Sequence, residues 1–212
     1  MSTLPDTITI TAGTETAVYS KQAAHKPSGH VIYQPMVHYS QRDKRWAGYE
    51  YDPGYTIGKS GCLLTAIAMI GSFYYDGTIT PLILAQRLRE LGAFSKGLLV
   101  KPELVQKTFS RLYCGGAIDW HTTKADLGLI AHELELFDTT IIQVLGNVDK
   151  AGSVNQNSHF VVLRQLLDND AMIVDPWDGH SKQLLTSPYV KSGWSVERAI
   201  YGMRRFRVTR DD

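Results

Sequence analysis

Hydrophobic and polar positions divide the chain near Val37 into an N-terminal arm and a larger domain. Residues 1–35 are rich in Thr, Ser, Ala and Lys and contain few large apolar side chains. The segment TITIT at Thr7–Thr11 alternates like a short strand, but no neighbouring apolar run offers it a core. We therefore expect a polar arm over residues 1–35, either free or docked on a protein partner by strand addition, and a domain over residues 36–212.

The first half of the domain has helical patterns. The run CLLTAIAMIGSFYY, which starts at Cys62, is apolar on every side, and this is typical of a helix buried at the centre of a domain. Three amphipathic helices are predicted after it: one that Thr80 and Pro81 begin, one that opens at Pro102, and one that Thr123 caps. The aromatic and polar segment before Cys62 contains Pro-Gly and predicts a structured loop.

The second half of the domain is dominated by strand patterns. TTIIQVLG, HFVVLRQLL, AMIVD and AIYGMRRFRV combine β-branched and aromatic residues over strand-like lengths. The turn DND at Asp168–Asp170 joins the second and third of these runs into a hairpin. Helices followed by an antiparallel sheet predict an α+β domain, in which a buried central helix packs on the sheet.

Composition narrows the classes of function. The chain has 212 residues, enough for one large domain, with 43% hydrophobic and 20% charged residues, as in ordinary soluble proteins. A net charge of +1 gives no reason to expect nucleic acid as a partner. No apolar run approaches the ~18 residues that span a bilayer, so we expect no membrane insertion. The N-terminus lacks the features of a secretory signal, which predicts cytoplasmic synthesis, with virion association or release to the cell wall as open destinations.

The segment GKSGC, which ends at Cys62, fits two kinds of site. A phosphate-binding loop needs four residues between its glycines and a strand before them, whereas three residues separate Gly54 from Gly58 and no buried strand precedes them. A nucleophilic cysteine fits better. Ser60 can cap the helix and place Cys62 in its first turn, where the helix dipole and free N–H groups lower the pKa of a thiol. We also expect Gly58 and Gly61 to leave room for a substrate backbone.

A thiolate nucleophile requires a proton partner, a group that orients it, and oxyanion donors. His159 opens the run HFVVLRQLL and Asp175 closes AMIVD, so a hairpin of these strands would bring the two side chains together. Gln41 lies in a polar loop that could fold over the start of the helix. His180, just beyond the third strand, is a weaker rival partner for Cys62.

For the other cysteine, tryptophan, histidine and aspartate candidates we predict roles outside catalysis. Cys114 has no such partners and is expected to be structural, although a single bridge to Cys62 stays open. Trp177 is expected to line the core or a cleft. The other histidines show no metal-ligand spacing, and we predict neither a cofactor nor a metal, with Asp43 and Asp52 as the only residues considered for a cation.

Four segments of the chain together resemble the C39-like cysteine peptidases: YSQRDKRW, GKSGCLLTAIAM, SHFVVL and IVDPWDG. The resemblance extends from about Val37 to Val208 and implies a papain-like fold. It implies that Cys62 is the nucleophile and that His159 acts as general base and then as general acid. It further implies that Asp175 orients the imidazole, and that Gln41 and the Cys62 backbone N–H form the oxyanion hole.

The same resemblance implies a cysteine hydrolase that cleaves amide bonds in a peptide or in peptidoglycan. Peptidoglycan is preferred by analogy with stand-alone C39-like domains of bacterial and phage proteins. C39 domains of bacteriocin exporters are fused to transporter modules, which this sequence lacks, so cleavage after a double-glycine leader is not implied. Two alternatives stay open: an acyl- or peptidyl-transferase using the same triad, and a non-catalytic structural or adaptor protein of a phage assembly. The polar arm favours a protein partner in either case.

Overall fold

The computed structural model describes residues 7–12, 15–20, 35–74, 77–146 and 158–208, the first two ranges as backbone only. The helices are α1 (Ile57–Ser60), α2 (Cys62–Tyr74), α3 (Pro81–Glu90), α4 (Leu127–Phe137) and α5 (Val196–Ala199), with a 3₁₀ helix at Pro102–Lys107. The strands are β1 (Thr7–Ala12), β2 (Glu15–Ser20), β3 (Glu50–Asp52), β4 (Tyr55–Thr56), β5 (Phe94–Ser95), β6 (Leu98–Leu99), β7 (Leu112–Asp119), β8 (Thr140–Val144), β9 (His159–Leu166), β10 (Ala171–Asp175), β11 (His180–Gln183) and β12 (Ile200–Val208).

A six-stranded antiparallel sheet organises the domain, with strand order β11-β10-β9-β8-β12-β7. The four apolar runs predicted as strands form β8, β9, β10 and β12. The Leu167 N–H donates to the Asp170 carbonyl at 2.8 Å and closes the predicted hairpin between β9 and β10. The α+β prediction is therefore confirmed.

Helices cover both faces of this sheet, which explains why its central strands are apolar almost without interruption. Helix α2 packs on β9, β8 and β12, and its core includes Ile141 and Val162. The adjacent residues Ile142 and Val161 point to the opposite face, where they join the core that contains Ile130 of α4. Strand β8 is accordingly buried along its whole length.

Helix α2 is the buried central helix that its composition predicts. Every residue from Leu64 to Tyr74 is buried, so the side chains meet protein on all sides of the helix. Only the first residues, Cys62 and Leu63, are partly exposed. The packed body of the helix therefore fixes the position of Cys62 at the edge of the core.

Some predicted boundaries are wrong for identifiable reasons. The Thr80 hydroxyl accepts a hydrogen bond from the Ile83 N–H and caps α3 as predicted, but Asp126, rather than Thr123, caps α4. The helix that opens at Pro102 is a single short 3₁₀ segment. Strands β7 and β11 were not predicted, because LYCGGAID carries two glycines and HSKQ is polar.

The strand-like alternation in the arm coincides with a strand, and Thr7–Ala12 pairs with Glu15–Ser20 in an antiparallel ladder. These two strands form a two-stranded sheet of their own. The remainder of residues 1–34 lies outside the described residues, so docking of the arm on a partner stays a prediction. Among the described residues, no helix has the length and apolarity required to span a bilayer.

Candidate active site

Cys62 is the first residue of α2 and lines an open cleft. The residue is partly exposed, and the backbone N–H groups of Leu63 and Phe160 donate hydrogen bonds to its sulfur. These donors come from the unsatisfied first turn of the helix and from the start of β9. The sulfur therefore stands where a negative charge is stabilised and a ligand can reach it.

Two details of the segment before Cys62 differ from the prediction. Ser60 does not cap α2, because it ends the separate turn α1, and Gly61 precedes the cysteine with its carbonyl accepting from the Thr65 N–H at 2.8 Å. The glycines do not open space for a substrate. A Cβ on Gly61 would lie 2.5 Å from the Ile57 oxygen, and one on Gly58 would lie 2.9 Å from the Ala47 oxygen. They allow α1 to pack closely on the protein's own backbone.

His159 and Asp175 meet as the hairpin prediction requires. His159 begins β9 and Asp175 ends β10, and the imidazole Nε2 lies 2.7 Å from Asp175 Oδ1. Because Nε2 is engaged by the carboxylate, the hydrogen bond between His159 and Cys62 uses Nδ1. The three side chains thus form a continuous relay from carboxylate to imidazole to thiol.

Asp175 is completely buried, and four donors satisfy its carboxylate. Oδ1 accepts from His159 and from the Trp177 backbone N–H at 2.9 Å. Oδ2 accepts from Lys182 Nζ at 2.8 Å and from the Tyr189 hydroxyl at 2.7 Å. A buried carboxylate with this many donors is held in one orientation and stays ionised.

Lys182 and Tyr189 are site residues that sequence reasoning missed. Lys182 is on β11, beside β10, and also binds Asp178 Oδ2 at 2.8 Å, while the Tyr189 ring packs against the His159 imidazole with centroids 4.6 Å apart. Alternation along HSKQ could have indicated Lys182 if that polar run had been taken as a strand. The loop segment TSPYV offered no signal for Tyr189.

The charges in this cluster shift three pKa values in a consistent way. Burial opposes the thiolate, but the hydrogen bond and charge of His159, with the two backbone N–H groups, bring the pKa of Cys62 below its ordinary value. Burial also opposes the imidazolium, yet Asp175 and Cys62 raise the pKa of His159 to about 9. The pKa of Asp175 is lowered despite burial by His159, Lys182 and Tyr189. The shifts of Cys62 and His159 both favour a thiolate–imidazolium pair.

Gln41 is buried beside this pair and lines the same cleft. Its backbone N–H donates to the Pro176 carbonyl at 2.6 Å, which ties it to the residue that follows Asp175. Its side-chain Nε2 donates one hydrogen to the Gly58 carbonyl at 3.1 Å. Among the described residues no acceptor takes the second Nε2 hydrogen, so a fixed amide donor is available at the cleft.

The cleft encloses about 770 Å³ and is open on one side. Its lining includes Cys62, His159 and Gln41, together with Trp177, which is 41% exposed and whose ring lies 4.7 Å from the Arg42 guanidinium. Tyrosines and the β5–β6 hairpin complete the lining. A cleft of this size accommodates several residues of an extended peptide.

The other candidates have separate roles. Cys114 is a free thiol on β7 that packs beside the core around α2, and Cys62 is also free, so no bridge joins them. His180 is largely exposed and lies 3.8 Å from Asp178. Asp43 pairs with Arg45, and Asp52 accepts from a backbone N–H. No group of three or more potential metal ligands occurs in the part of the chain that the structure describes.

No protein-family model, curated protein or solved structure matches this chain. The resemblance to C39-like peptidases therefore stays a prediction from the four sequence segments. Any functional assignment depends on the site residues and their geometry. The relay of Cys62, His159 and Asp175 beside an open cleft is the feature that such an assignment must explain.

Proposed function

We propose that the protein is a cysteine hydrolase of papain-like fold that cleaves amide bonds in peptide or peptidoglycan substrates. One observation carries the proposal: the Cys62 thiol, the His159 imidazole and the Asp175 carboxylate interact in series beside an open cleft. A structural thiol has no need of a charged imidazole, a buried carboxylate and an adjacent amide donor. Nucleophilic catalysis requires all of these.

The chemistry follows from the positions of these groups. The Cys62 thiolate attacks the substrate carbonyl carbon, forming a C–S bond and a tetrahedral oxyanion, which the Gln41 amide and the Cys62 backbone N–H stabilise. His159 donates its proton to the leaving nitrogen as the C–N bond breaks. Water then attacks the thioester while His159 accepts a proton, and loss of the C–S bond regenerates the thiolate. Asp175 holds the imidazole and supports its charged form throughout.

The decisive experiment compares two cysteine variants on purified peptidoglycan and on a casein-type substrate. Cys62→Ala is expected to abolish the appearance of new amino termini and to leave thermal stability nearly unchanged, because Cys62 is a partly exposed residue at the edge of the core around α2. Cys114→Ala is the matched control. It should retain full turnover and lose about 1 kcal/mol of unfolding free energy through the lost core contact.

The same assay separates the alternatives. Full turnover in Cys62→Ala would exclude the proposed mechanism. If products appear only when an added amine is incorporated, the protein is a transferase that uses the same thioester. A wild-type protein that reacts no faster with iodoacetamide than a small-molecule thiol, and turns over neither substrate, would be a non-catalytic adaptor.

A further inference from the structure

Part of the cleft lining outside the triad combines apolar surface with positive charge. Its hairpin, β5–β6, contributes Leu98, whose side chain is 66% exposed, and Phe94. Tyr51 and Tyr55 belong to the same lining. An exposed leucine beside aromatic rings is suited to contact an apolar group of a ligand.

Besides the Cys62–His159 pair, whose charges offset each other, three lysines and one carboxylate contribute charge to the cleft lining. Lys182 and Asp178 neutralise each other at 2.8 Å, and Lys182 also serves Asp175. Lys59 and Lys96 remain, and neither ammonium forms an ion pair within the described part of the chain. The cleft therefore presents two uncompensated positive charges to its ligand.

One tyrosine fixes the backbones next to these two lysines close to each other. The Tyr51 hydroxyl lies 3.1 Å from the carbonyl of Ser60, which follows Lys59, and 3.0 Å from the carbonyl of Gly97, which follows Lys96. Both carbonyls are thus within reach of a single hydroxyl. The two lysines belong to one small region of the cleft wall, beside the start of α2.

At the tip of the β5–β6 hairpin, the backbone of Lys96 has a left-handed conformation, which asparagine and glycine adopt more readily than lysine. Lys96 has φ +51° and Gly97 has φ +73°, the left-handed pair of a two-residue hairpin turn, for which Asn-Gly is the usual sequence. The Gly97 N–H donates to Asp52 Oδ2 at 2.7 Å, and a Cβ on Gly97 would meet the Tyr55 ring at 2.2 Å. The anchored turn therefore holds the Lys96 backbone at a fixed position beside the cleft.

From these observations we infer that the cleft selects substrates that carry a carboxylate next to an apolar side chain, with Lys59 and Lys96 binding the carboxylate. The apolar side chain packs on Leu98 and the adjacent aromatic rings. This inference depends on the proposed function, since the bound peptide is the substrate whose carbonyl Cys62 attacks. The carboxylate of Asp52, which accepts from the Gly97 N–H, is engaged with the turn backbone, and no ion pair joins it to either ammonium within the described residues.

The first test measures alkylation of Cys62 by iodoacetate and by iodoacetamide, two reagents that differ by one carboxylate. The rate ratio of iodoacetate to iodoacetamide should exceed that of a small-molecule thiol in the wild type. It should fall about two- to threefold for each of Lys59→Gln and Lys96→Asn, as one unit charge at close range requires. Asparagine suits the left-handed turn and preserves the fold. Lys107→Gln, an exposed lysine outside the cleft, should leave the ratio unchanged.

The second test uses matched fluorogenic peptides that contain Glu or Gln beside a leucine, each with a free or an amidated C-terminus. A Glu preference that disappears in the double lysine variant assigns the carboxylate to a side chain, and a free-terminus preference assigns it to the terminus. If Cys62 is alkylated rapidly but the ratio and the peptide preferences do not change in the double variant, carboxylate selection is wrong and the proposed hydrolase stands. Slow alkylation by both reagents in every variant would overturn the hydrolase itself.

Discussion

Two buried carboxylates in this protein illustrate the difference between a structural ion pair and a reactive one. Asp175 is 0% exposed and Glu133 is 2% exposed, and each is bound by cationic side chains. Glu133 of α4 contacts Arg205 and Arg207 of β12. Asp175 is bound to His159, alongside a lysine and a tyrosine.

The contrast lies in the partners and not in burial. A guanidinium stays charged at every physiological pH, so the Glu133 cluster can only hold α4 to the sheet. The imidazole of His159 can gain and lose a proton, with its pKa raised to about 9, and its other nitrogen is left for the thiol of Cys62 at an open cleft. A buried carboxylate therefore indicates chemistry only when it is bound to a group that titrates and that a ligand can approach.

The largest expected effects come from substituting Asp175 and Glu133, since one change should act on activity and the other on stability. We expect Asp175→Ala to lower kcat/KM by ~10³–10⁴-fold, the scale seen when a triad carboxylate is altered, because the imidazole loses its orientation. Asp175→Asn should retain more activity, since an amide oxygen still accepts the His159 N–H. Glu133→Gln should leave kcat/KM unchanged and lower unfolding free energy by up to about 3 kcal/mol.

Kinetics on the folded fraction, with thermal melts of the same samples, check this pair of outcomes. Equal activity losses in Asp175→Ala and Glu133→Gln would show that both carboxylates act through stability alone. A silent Asp175→Ala would mean that the triad is misplaced.

Removing the side-chain amide of Gln41 should lower activity slightly less than removing the Asp175 carboxylate. Gln41→Ala should lower kcat by ~10²–10³-fold with KM little changed, as for loss of one oxyanion donor in a well-studied protease. Steady-state kinetics on one peptide substrate measure it. A fall confined to KM would assign Gln41 to substrate binding in place of the oxyanion hole.

The pH dependence of the rate tests the charge state of the reactive cluster. Because the pKa of Cys62 is lowered and that of His159 is raised to about 9, the ion pair exists between these limits. The ratio kcat/KM should rise as the thiolate forms and fall as the pH passes about 9, in a bell whose limbs belong to the coupled pair. Limbs near the unperturbed values of ~6.5 and ~8.5 would indicate that no pair forms.

The smallest effects are expected from substituting Lys182 and Tyr189, which donate hydrogen bonds to Oδ2 of Asp175. Lys182→Met removes a positive charge close to the imidazolium, so the alkaline limb should move to higher pH, with only a few-fold change in the maximal rate. Tyr189→Phe removes a neutral donor and should shift the limb less. A merely structural contribution of Lys182 would lower the melting temperature without moving either limb.

The central elements of the fold could be predicted because each has one dominant signal. CLLTAIAMIGSFYY is apolar all round and becomes α2, and the β-rich runs become the strands of the sheet. The polar strand β11 and the glycine-containing β7 could not be predicted, because their stability comes from pairing with β10 and β12 rather than from their own residues.

The site shows the same division. His159 and Asp175 could be paired because strand ends in a hairpin are neighbours along a short stretch of chain. Lys182 and Tyr189 contact Asp175 because the chain turns back after β10 and passes beside it. The path of that polar segment is not evident from the residue pattern. The prediction for Gly58 and Gly61 was wrong because a glycine in the sequence looks the same in two cases. The space left by its missing Cβ can be filled by a ligand or, as here, by the protein's own backbone.

The hydrogen bond between Cys62 and His159 also determines when the cysteine becomes reactive. His159 is synthesised long after Cys62, and its charge is maintained by Asp175, which lies further along still. Until β9 and β10 have paired beside α2, the thiol lacks the imidazolium that lowers its pKa and behaves as an ordinary cysteine. We therefore expect Cys62 to become rapidly alkylated only when folding brings His159 beside it, so the rate of Cys62 labelling serves as a clock for completion of folding.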